Sequence, residues 1–294
     1  MILKTFSNNL SILPWYETAA EQNHRKSYAY GEVYPLYVPM GAVPPFQIAT
    51  QRSVNGYLSH IYLHRDNGTL VGDITTQMTA SGLTENEYPS FDTHMVIYPS
   101  FMPQTITTEE GRYYLRATYQ TGDEVVSDLF TVVGSMGDFL TVRWWDDDNL
   151  ITDDGMIIYK AAGNLIYRNC LWLPTQLGKP EYTFEDEGEE RDGYFFPEKQ
   201  LSAKRYRFVF LAPEYLCDVM RTARLSDHVT VTDKFGHVYR CDQFLITPKW
   251  EAQGDLASVE AEFTTNTIIK SIGSVATGDR GDFNDDFNND FDIS

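Results

Sequence analysis

Two tight turns, each between segments of alternating polarity, constrain the fold of this chain more than any other feature. The first hairpin spans residues 57–74 around Asp-Asn-Gly at 66–68, and the second spans 111–133 around Gln-Thr-Gly-Asp at 120–123. Alternation with a period of two is typical of half-buried strands, and such turns join neighbouring antiparallel strands. The 19 Tyr and 17 Phe favour pleated strands as well. The sequence therefore predicts a mainly β protein.

The strand pattern predicts two β domains between two terminal arms. Short strands over residues 46–134 favour an immunoglobulin-like β-sandwich, although the Cys-Trp-Cys pattern of antibody domains is missing. Residues 135–272 begin with a stretch of small residues and predict a second antiparallel β domain. The prolines and tyrosines of residues 1–45 predict an extended N-terminal arm that runs along a surface, because proline lacks the N–H group that helices and central strands need. Residues 273–294 form the predicted flexible, acidic C-terminal arm.

One helix is predicted, over residues 213–225, and it follows an aromatic strand at 205–210. In that strand, aromatic side chains at even positions lie on one face and arginines on the other, and we expect the helix to pack on the antiparallel sheet. The carboxylate-rich segment 181–192 is expected to be a solvated loop. The apolar positions of the helix that follow the spacing of a buried face are Leu216, Val219, Met220 and Ala223.

The charge of the chain argues against a surface that grips nucleic acid. Its 294 residues include 42 Asp and Glu but 23 Lys and Arg, which gives a net charge of −19. Affinity for nucleic acid comes mainly from basic side chains that neutralise phosphates. We therefore expect no specific nucleic-acid binding, although DNA passing nearby is compatible with an acidic wall. No apolar run approaches the ~20 residues of a membrane helix, and no signal peptide is recognisable, so we expect synthesis in the cytosol and no membrane partner.

Candidate metal ligands are present but poorly arranged. His60 and His64 lack the glutamate of a zinc-protease helix and lie in an alternating strand, so ordinary face residues are the favoured interpretation. The cluster at Asp146–Asp148 lacks the glycine and the final glutamate of an EF-hand loop, which favours a solvated acidic turn. Cys170, Cys217 and Cys241 form no CxxC pair, which predicts reduced, buried thiols. We expect neither a metal site nor a cofactor.

No catalytic signature was recognised. The sequence contains neither a nucleophile elbow nor a glycine-rich phosphate loop, so we expect a protein that is not an enzyme and has no catalytic residues. A hydrolase with an unrecognised pair of carboxylates stays an alternative, because the sequence gives no distance between carboxylates. The adjacent Trp144 and Trp145 leave a second alternative, a carbohydrate-binding or adhesin-like β-sandwich. On a strand, however, one of two adjacent rings points inward and the other outward.

The last seventeen residues, GDRGDFNDDFNNDFDIS, space Phe283, Phe287 and Phe291 four residues apart among aspartates. Such a peptide cannot bury three phenyl rings on itself and its charges repel one another, so we expect it to be unstructured when isolated. Burying one phenylalanine against another protein is worth ~1.5–3 kcal/mol. These three phenylalanines are therefore the predicted partner-binding residues.

The stretch from Lys199 to Lys270 carries a resemblance to a known family. It reads KRYRFVF, APEYLCDVMRTARL, VTVTDKFGHVYRCDQFLITPKW and GDLASVEAEFTTNTIIK in order, after the immunoglobulin-like segment GRYYLRATYQTGDEVVSDLFTVV. This order resembles virion structural proteins of tailed phages that infect Bacteroidetes, including the crAss-like group, over residues 50–270. The resemblance implies a neck, ring or tail-hub subunit, present in many copies around the DNA channel. It implies as partners further copies of the chain and other neck, portal or tail proteins, and as location the virion, assembled in the host cytoplasm.

Overall fold

The computed structural model describes residues 11–16, 36–88, 92–99, 109–147, 167–251 and 256–271. The described residues are 59% strand and 11% helix, which confirms the predicted mainly β fold. The strands are β1 Trp15–Tyr16, β2 Leu36–Pro39, β3 Phe46–Gln51, β4 Leu58–Arg65, β5 Leu70–Asp73, β6 Thr84–Tyr88, β7 Thr93–Tyr98, β8 Gly111–Tyr119, β9 Glu124–Ser127, β10 Phe130–Val133, β11 Leu140–Trp145, β12 Asn169–Leu173, β13 Glu181–Arg191, β14 Tyr194–Pro213, β15 His228–Thr232, β16 Val238–Arg240, β17 Gln243–Lys249 and β18 Leu256–Ser271. The helices of the described residues are α1 Arg52–Asn55, α2 Thr75–Ala80 and α3 Glu214–Met220, with the 3₁₀ helix Arg221–Leu225 after α3.

The first half of the chain has the two facing sheets of a β-sandwich. One sheet has the order β3-β7-β6, and the other contains β5, β4, β8, β9 and β10. Both predicted hairpins are present, because β4 pairs with β5 and β8 pairs with β9 in antiparallel register. Inward side chains of the two sheets, such as Phe46, Tyr98, Ile61 and Leu115, belong to one buried apolar cluster. This face-to-face arrangement of two sheets is that of a β-sandwich.

The larger sheet continues into the second half of the chain. Strand β2 pairs in parallel with β10, and its Tyr37 also pairs with Trp172 of β12. Beyond β12 the sheet runs through β11, β15 and β16, which makes eleven strands in all. The sheet therefore crosses the predicted boundary between residues 134 and 135. The division into two domains stays a prediction.

The described parts of the predicted N-terminal arm lie in the core of this chain, which corrects the expectation that they run along a surface. Residues 11–16 and 36–45 are largely extended, as the prolines predict, but Ile12, Leu13 and Trp15 are buried. The Trp15 ring meets the Phe46 ring edge-on with centroids 4.9 Å apart. Proline limits the backbone hydrogen bonds of a segment but does not decide where the segment lies. The position of this one follows from the burial of its apolar side chains.

A separate four-stranded antiparallel sheet, in the order β13-β14-β18-β17, carries the helix. Tyr206, Phe208 and Phe210 are buried on one side of β14, as the alternation predicts, while Arg205 and Arg207 lie on the other side. Helix α3 and the 3₁₀ helix together cover the predicted range 213–225 almost completely. Their buried residues include the four predicted apolar positions, Leu216, Val219, Met220 and Ala223.

The acidic segment 181–192 is not a loop, which corrects a second expectation. Residues Glu181–Arg191 form strand β13 and pair with β14 along its length. The turn between the strands is Asp192-Gly193, with φ values of 53° and 78°. An Asp-Gly turn with two positive φ values is a strong hairpin signal, and it overrides the poor strand propensity of glutamate. The carboxylates stay solvated because the strand is exposed, so the expectation was right about solvation and wrong about the backbone.

Candidate protein-interaction surface

The hairpin of β13 and β14 extends into solvent beyond the covered part of its sheet. Strand β14 has 20 residues and so extends for roughly 65 Å at the usual rise of a strand. Among the residues from 181 to 200 whose side chains are described, none is buried. Both faces of this part of the hairpin are therefore solvent-exposed, which is unusual for a sheet that carries large apolar side chains.

One face of the exposed hairpin is apolar at its centre. Residues paired across antiparallel strands point to the same side, so the register gives the rows of this face. Phe184 pairs with Ser202, which pairs with Ile268, and their neighbours on the same face are Tyr182, Lys204 and Lys270. Phe184 is 76% exposed, Ile268 69% and Tyr182 60%. The surface named here the Phe184 face consists of Tyr182, Phe184, Ser202, Lys204, Ile268 and Lys270.

The Phe184 face is a continuation of the core side of the same sheet. Ser202 and Lys204 of β14 are on the side that carries Tyr206 and Phe208 further along the strand, and these two aromatic side chains are buried. Nearer α3, this side of the sheet is covered, and beyond Lys204 no described residue covers it. The sheet face therefore stays apolar beyond the part on which other residues pack. An exposed apolar face of this kind indicates an interaction surface, since burying apolar area releases about 25 cal/mol per Å².

The charged groups of the Phe184 face are basic ones without a carboxylate partner. The ammonium of Lys204 lies 5.9 Å from the centre of the Tyr182 ring, at the outer range of a cation–π contact. Neither Lys204 nor Lys270 forms an ion pair with a described residue. Asp186 lies in the same row as Gln200 and Lys270, and its carboxylate accepts a hydrogen bond of 3.2 Å from the Gln200 amide. The opposite side of the hairpin differs, because Lys199 there pairs with Glu187 at 3.2 Å.

An ion-pair network holds the base of the hairpin on the side opposite the Phe184 face. Arg207 Nε donates to Glu262 Oε2 at 2.8 Å, and Arg205 Nε lies 3.2 Å from the other oxygen of Glu262. The hydrogen bond with Glu262 raises the pKa of Arg207. Lys249 donates to Glu260 at 2.9 Å and lowers the pKa of that carboxyl. These contacts join β14, β17 and β18, so the exposed hairpin extends from a base tied by three strands.

The predicted partner-binding residues Phe283, Phe287 and Phe291 lie outside the described residues. The structure does give the point where their segment begins. Strand β18 ends at Ser271, which pairs with Lys199 of β14 beside the Phe184 face. The C-terminal segment therefore begins at the exposed hairpin and not at the helix-covered part of the sheet.

The two candidate histidines have separate structural contacts. Nδ1 of His60 lies 2.7 Å from Oδ2 of Asp73. His64 is buried and stacks on Tyr114 with ring centroids 5.0 Å apart. Among the described residues, no three potential ligands are grouped so that they would hold a metal ion. Both histidines thus take the role of ordinary strand residues that the alternation favoured.

The two adjacent tryptophans point in opposite directions, as the strand pattern predicts. Trp144 is fully buried and donates through Nε1 to Thr222 Oγ1 at 2.9 Å. The Trp145 ring stacks on His228 at 5.0 Å, and the Arg168 guanidinium lies 4.7 Å from its centre. Trp144 therefore offers no surface to a sugar, and Trp145 already has two partners.

The described part of the acidic turn, Asp146 and Asp147, connects two loops. Asp146 Oδ1 accepts from the backbone N–H of Asp227 at 3.0 Å, and the backbone N–H of Asp147 donates to the Asp227 carboxylate at 3.1 Å. His228 Nε2 lies 2.9 Å from Asp147 Oδ2. Burial raises the pKa of Asp146, although the hydrogen bond from the Asp227 N–H acts in the opposite direction. The two loops thus exchange hydrogen bonds between backbone N–H groups and carboxylates, and these bonds give Asp146 and Asp147 a structural role.

Sequence reasoning missed the Phe184 face because Tyr182 and Phe184 lie in a carboxylate-rich stretch. The signals that reveal it are the alternation of Tyr182, Thr183 and Phe184 and the Asp192-Gly193 turn. Together they predict a hairpin with aromatic residues on one side.

The comparisons with known proteins leave the family open. No protein-family model and no curated protein matches the chain. Among solved structures, a chain in the "Crystal structure of the titin domains z1z2 in complex with telethonin" matches with 12% identity and a TM-score of 0.17, covering 60% of this chain and 84% of that chain. A TM-score this low carries no argument about fold or function. None of the described helices has the length and apolar character needed to span a bilayer.

Proposed function

We propose that this chain is a structural subunit of a phage neck or tail, present in several copies in a ring around the DNA channel. The observation that carries the proposal is the exposed Phe184 face, on a hairpin whose sheet is covered only at its base. A protein that acts alone in solution gains nothing from this exposed apolar surface, whereas a subunit buries it in a contact.

The composition and the resemblance of residues 50–270 to phage virion proteins support the same function. A net charge of −19 repels DNA phosphates, which suits a subunit beside a channel through which DNA slides. The partners are other copies of the chain and neighbouring neck, portal or tail proteins. The chain acts in the virion after assembly in the host cytoplasm, and its function is architectural and not catalytic.

Light scattering and negative-stain imaging of the purified protein test this proposal. The expected result is a closed particle of several chains, formed by the protein alone or after addition of its portal or tail partner. Closure is expected because a contact between two different surfaces generates a ring when its rotation closes. A chain that stays monomeric at every concentration, and that does not enter particles with its partner, contradicts the proposal.

A glycan array tests the alternative of a carbohydrate-binding protein. Neither Trp144 nor Trp145 favours that function, since Trp144 is buried and Trp145 stacks on His228 with the Arg168 guanidinium 4.7 Å from its ring centre. We expect no signal on the array, and a signal that a Trp145→Ala variant abolishes would favour the alternative.

A further inference from the structure

The Phe184 face sets two requirements for whatever covers it. Its centre of Tyr182, Phe184 and Ile268 needs apolar groups, preferably aromatic ones that match rings on a flat sheet. Lys204 and Lys270, without carboxylate partners among the described residues, need acidic groups beside those apolar ones. The occupant is therefore an acidic segment with apolar, preferably aromatic, side chains.

The C-terminal segment of the chain meets both requirements. It spaces Phe283, Phe287 and Phe291 four residues apart and surrounds them with aspartates. In an extended segment, residues separated by an even number point to the same side, so the three rings would share one side. Four residues of strand span roughly 13 Å, so neighbouring rings of an extended segment would meet different rows of the hairpin.

The position and length of the segment allow the contact between copies. Residues 272–294 follow Ser271, which pairs with Lys199 beside the Phe184 face. Fully extended they reach about 75–83 Å, which is longer than the exposed part of the hairpin. The segment and the face are different surfaces, so each copy offers one of each, and a chain of such contacts runs head to tail.

We propose that residues 272–294 of one copy bind the Phe184 face of a neighbouring copy, with Phe283, Phe287 and Phe291 along the hairpin, at least one of these rings on the apolar centre, and the aspartates near Lys204 and Lys270. This inference rests on the proposed assembly function and identifies the contact through which the copies associate.

A complementation experiment between two variants of the full chain tests the proposal. The segment variant carries Phe283→Ser, Phe287→Ser and Phe291→Ser, and the face variant carries Phe184→Ser and Lys204→Glu. A matched control carries Phe235→Ser and Lys234→Glu at another exposed pair, where Phe235 is 74% exposed and the Lys234 ammonium lies 5.3 Å from its ring. The molar mass of each sample is measured by light scattering after size-exclusion chromatography.

Each variant alone is expected to be a monomer under conditions in which the wild type and the control assemble. An equimolar mixture is expected to form a particle of two chains, because the segment variant keeps an intact face and the face variant keeps an intact segment. A mixture that stays monomeric overturns the proposal, since it shows that the C-terminal segment of one copy does not bind the Phe184 face of another. Assembly of the face variant as in the wild type overturns it as well.

A binding titration separates failure of this inference from failure of the proposed function. A fluorescent peptide of residues 272–294 is titrated with the segment variant, and its anisotropy is followed. Introducing Phe184→Ser, or separately Lys270→Glu, into that variant is expected to weaken binding by about tenfold or more, and the Phe235→Ser control is expected to leave it unchanged. If the wild type assembles but the peptide does not bind, the inference fails and the assembly function stands. If the wild type never assembles, the proposed assembly function is wrong, and the inference that rests on it is wrong as well.

Discussion

Phe184 and Phe208 lie on the same side of one sheet, yet Phe184 is 76% exposed and Phe208 is 3% exposed. Both are aromatic residues in strands of alternating polarity, so the local sequence does not explain the difference in exposure. The difference comes from the residues that pack on each ring. Phe208 packs near Phe210 and Phe244, with ring centroids 5.9 and 6.4 Å away, whereas no described residue covers Phe184.

The first prediction concerns these two phenylalanines. Phe208→Ala is expected to lower the free energy of unfolding by about 3–5 kcal/mol, because it leaves a cavity in a covered core. Phe184→Ala is expected to change it by no more than about 0.5 kcal/mol in the monomer, because most of the ring is exposed to solvent. Urea denaturation at low protein concentration measures both. A similar loss for the two variants would show that Phe184 belongs to the core of its own chain.

A second prediction concerns the turn of the exposed hairpin. Gly193 has a φ of 78°, and a Cβ atom there would meet nothing within 4 Å, so any cost of Gly193→Ala comes from the backbone. A left-handed conformation costs a residue with a Cβ roughly 1–2 kcal/mol. We expect greater loss of hydrogen-exchange protection near residues 191–194 than elsewhere. Gly72→Ala is the control, since a Cβ at Gly72 also meets nothing within 4 Å and its φ is not positive.

The third prediction is an acid-dependent loss of stability at Asp73. Burial acts to raise the pKa of this carboxyl, but hydrogen bonds from Thr75 and the contact with His60 outweigh it and lower the pKa overall. A lowered folded pKa means that stability is present above the unfolded value of about 3.9 and is lost as pH falls through the folded pKa. The Asp73→Asn variant should therefore lose less stability than the wild type between about pH 5 and pH 2. Equal slopes of stability against pH in the two proteins would contradict this.

Asp146 provides a fourth prediction with the opposite sign. Its folded pKa is raised, mainly by burial, so folding becomes less favourable as pH rises from the unfolded pKa through the folded one. Asp146→Asn keeps an oxygen that accepts from the Asp227 N–H and removes the charge. We expect the variant to gain stability relative to the wild type as pH increases from 3 to 7, measured by thermal unfolding across that range. If the variant instead lost stability relative to the wild type from pH 3 to pH 7, the raised pKa of Asp146 would be contradicted.

A fifth prediction concerns thiol reactivity. Burial raises the pKa of Cys217 to about 11 and that of Cys241 to about 12, and Cys170 is fully buried. The thiolate is the reactive form, so all three should react slowly with a disulfide reagent at pH 8 in the native protein and rapidly in urea. Rapid labelling of one thiol without denaturant would show a local opening at that site.

The elements with strong local signals were predictable from the sequence. The hairpins at 57–74 and 111–133 and the helix after Pro213 follow turn residues and apolar spacing, and the structure contains all of them. The strand at Glu181–Arg191 was missed because glutamate suggests solvent, although an exposed strand is solvated too. The burial of Ile12, Leu13 and Trp15 was missed because proline reports on hydrogen bonding and not on tertiary contacts. The exposure of the Phe184 face depends on which part of the sheet is packed against other residues, and a local sequence pattern does not contain that information.

The pairing of Tyr37 with Trp172 also has a consequence during translation. The edge of β2 that β12 completes stays open until the ribosome has released residue 172, because its partner does not exist before then. An open strand edge recruits other extended chains, so nascent copies emerging side by side on one messenger are at risk of joining wrongly. We expect slow synthesis or chaperone cover between these two positions to decide the yield of native protein.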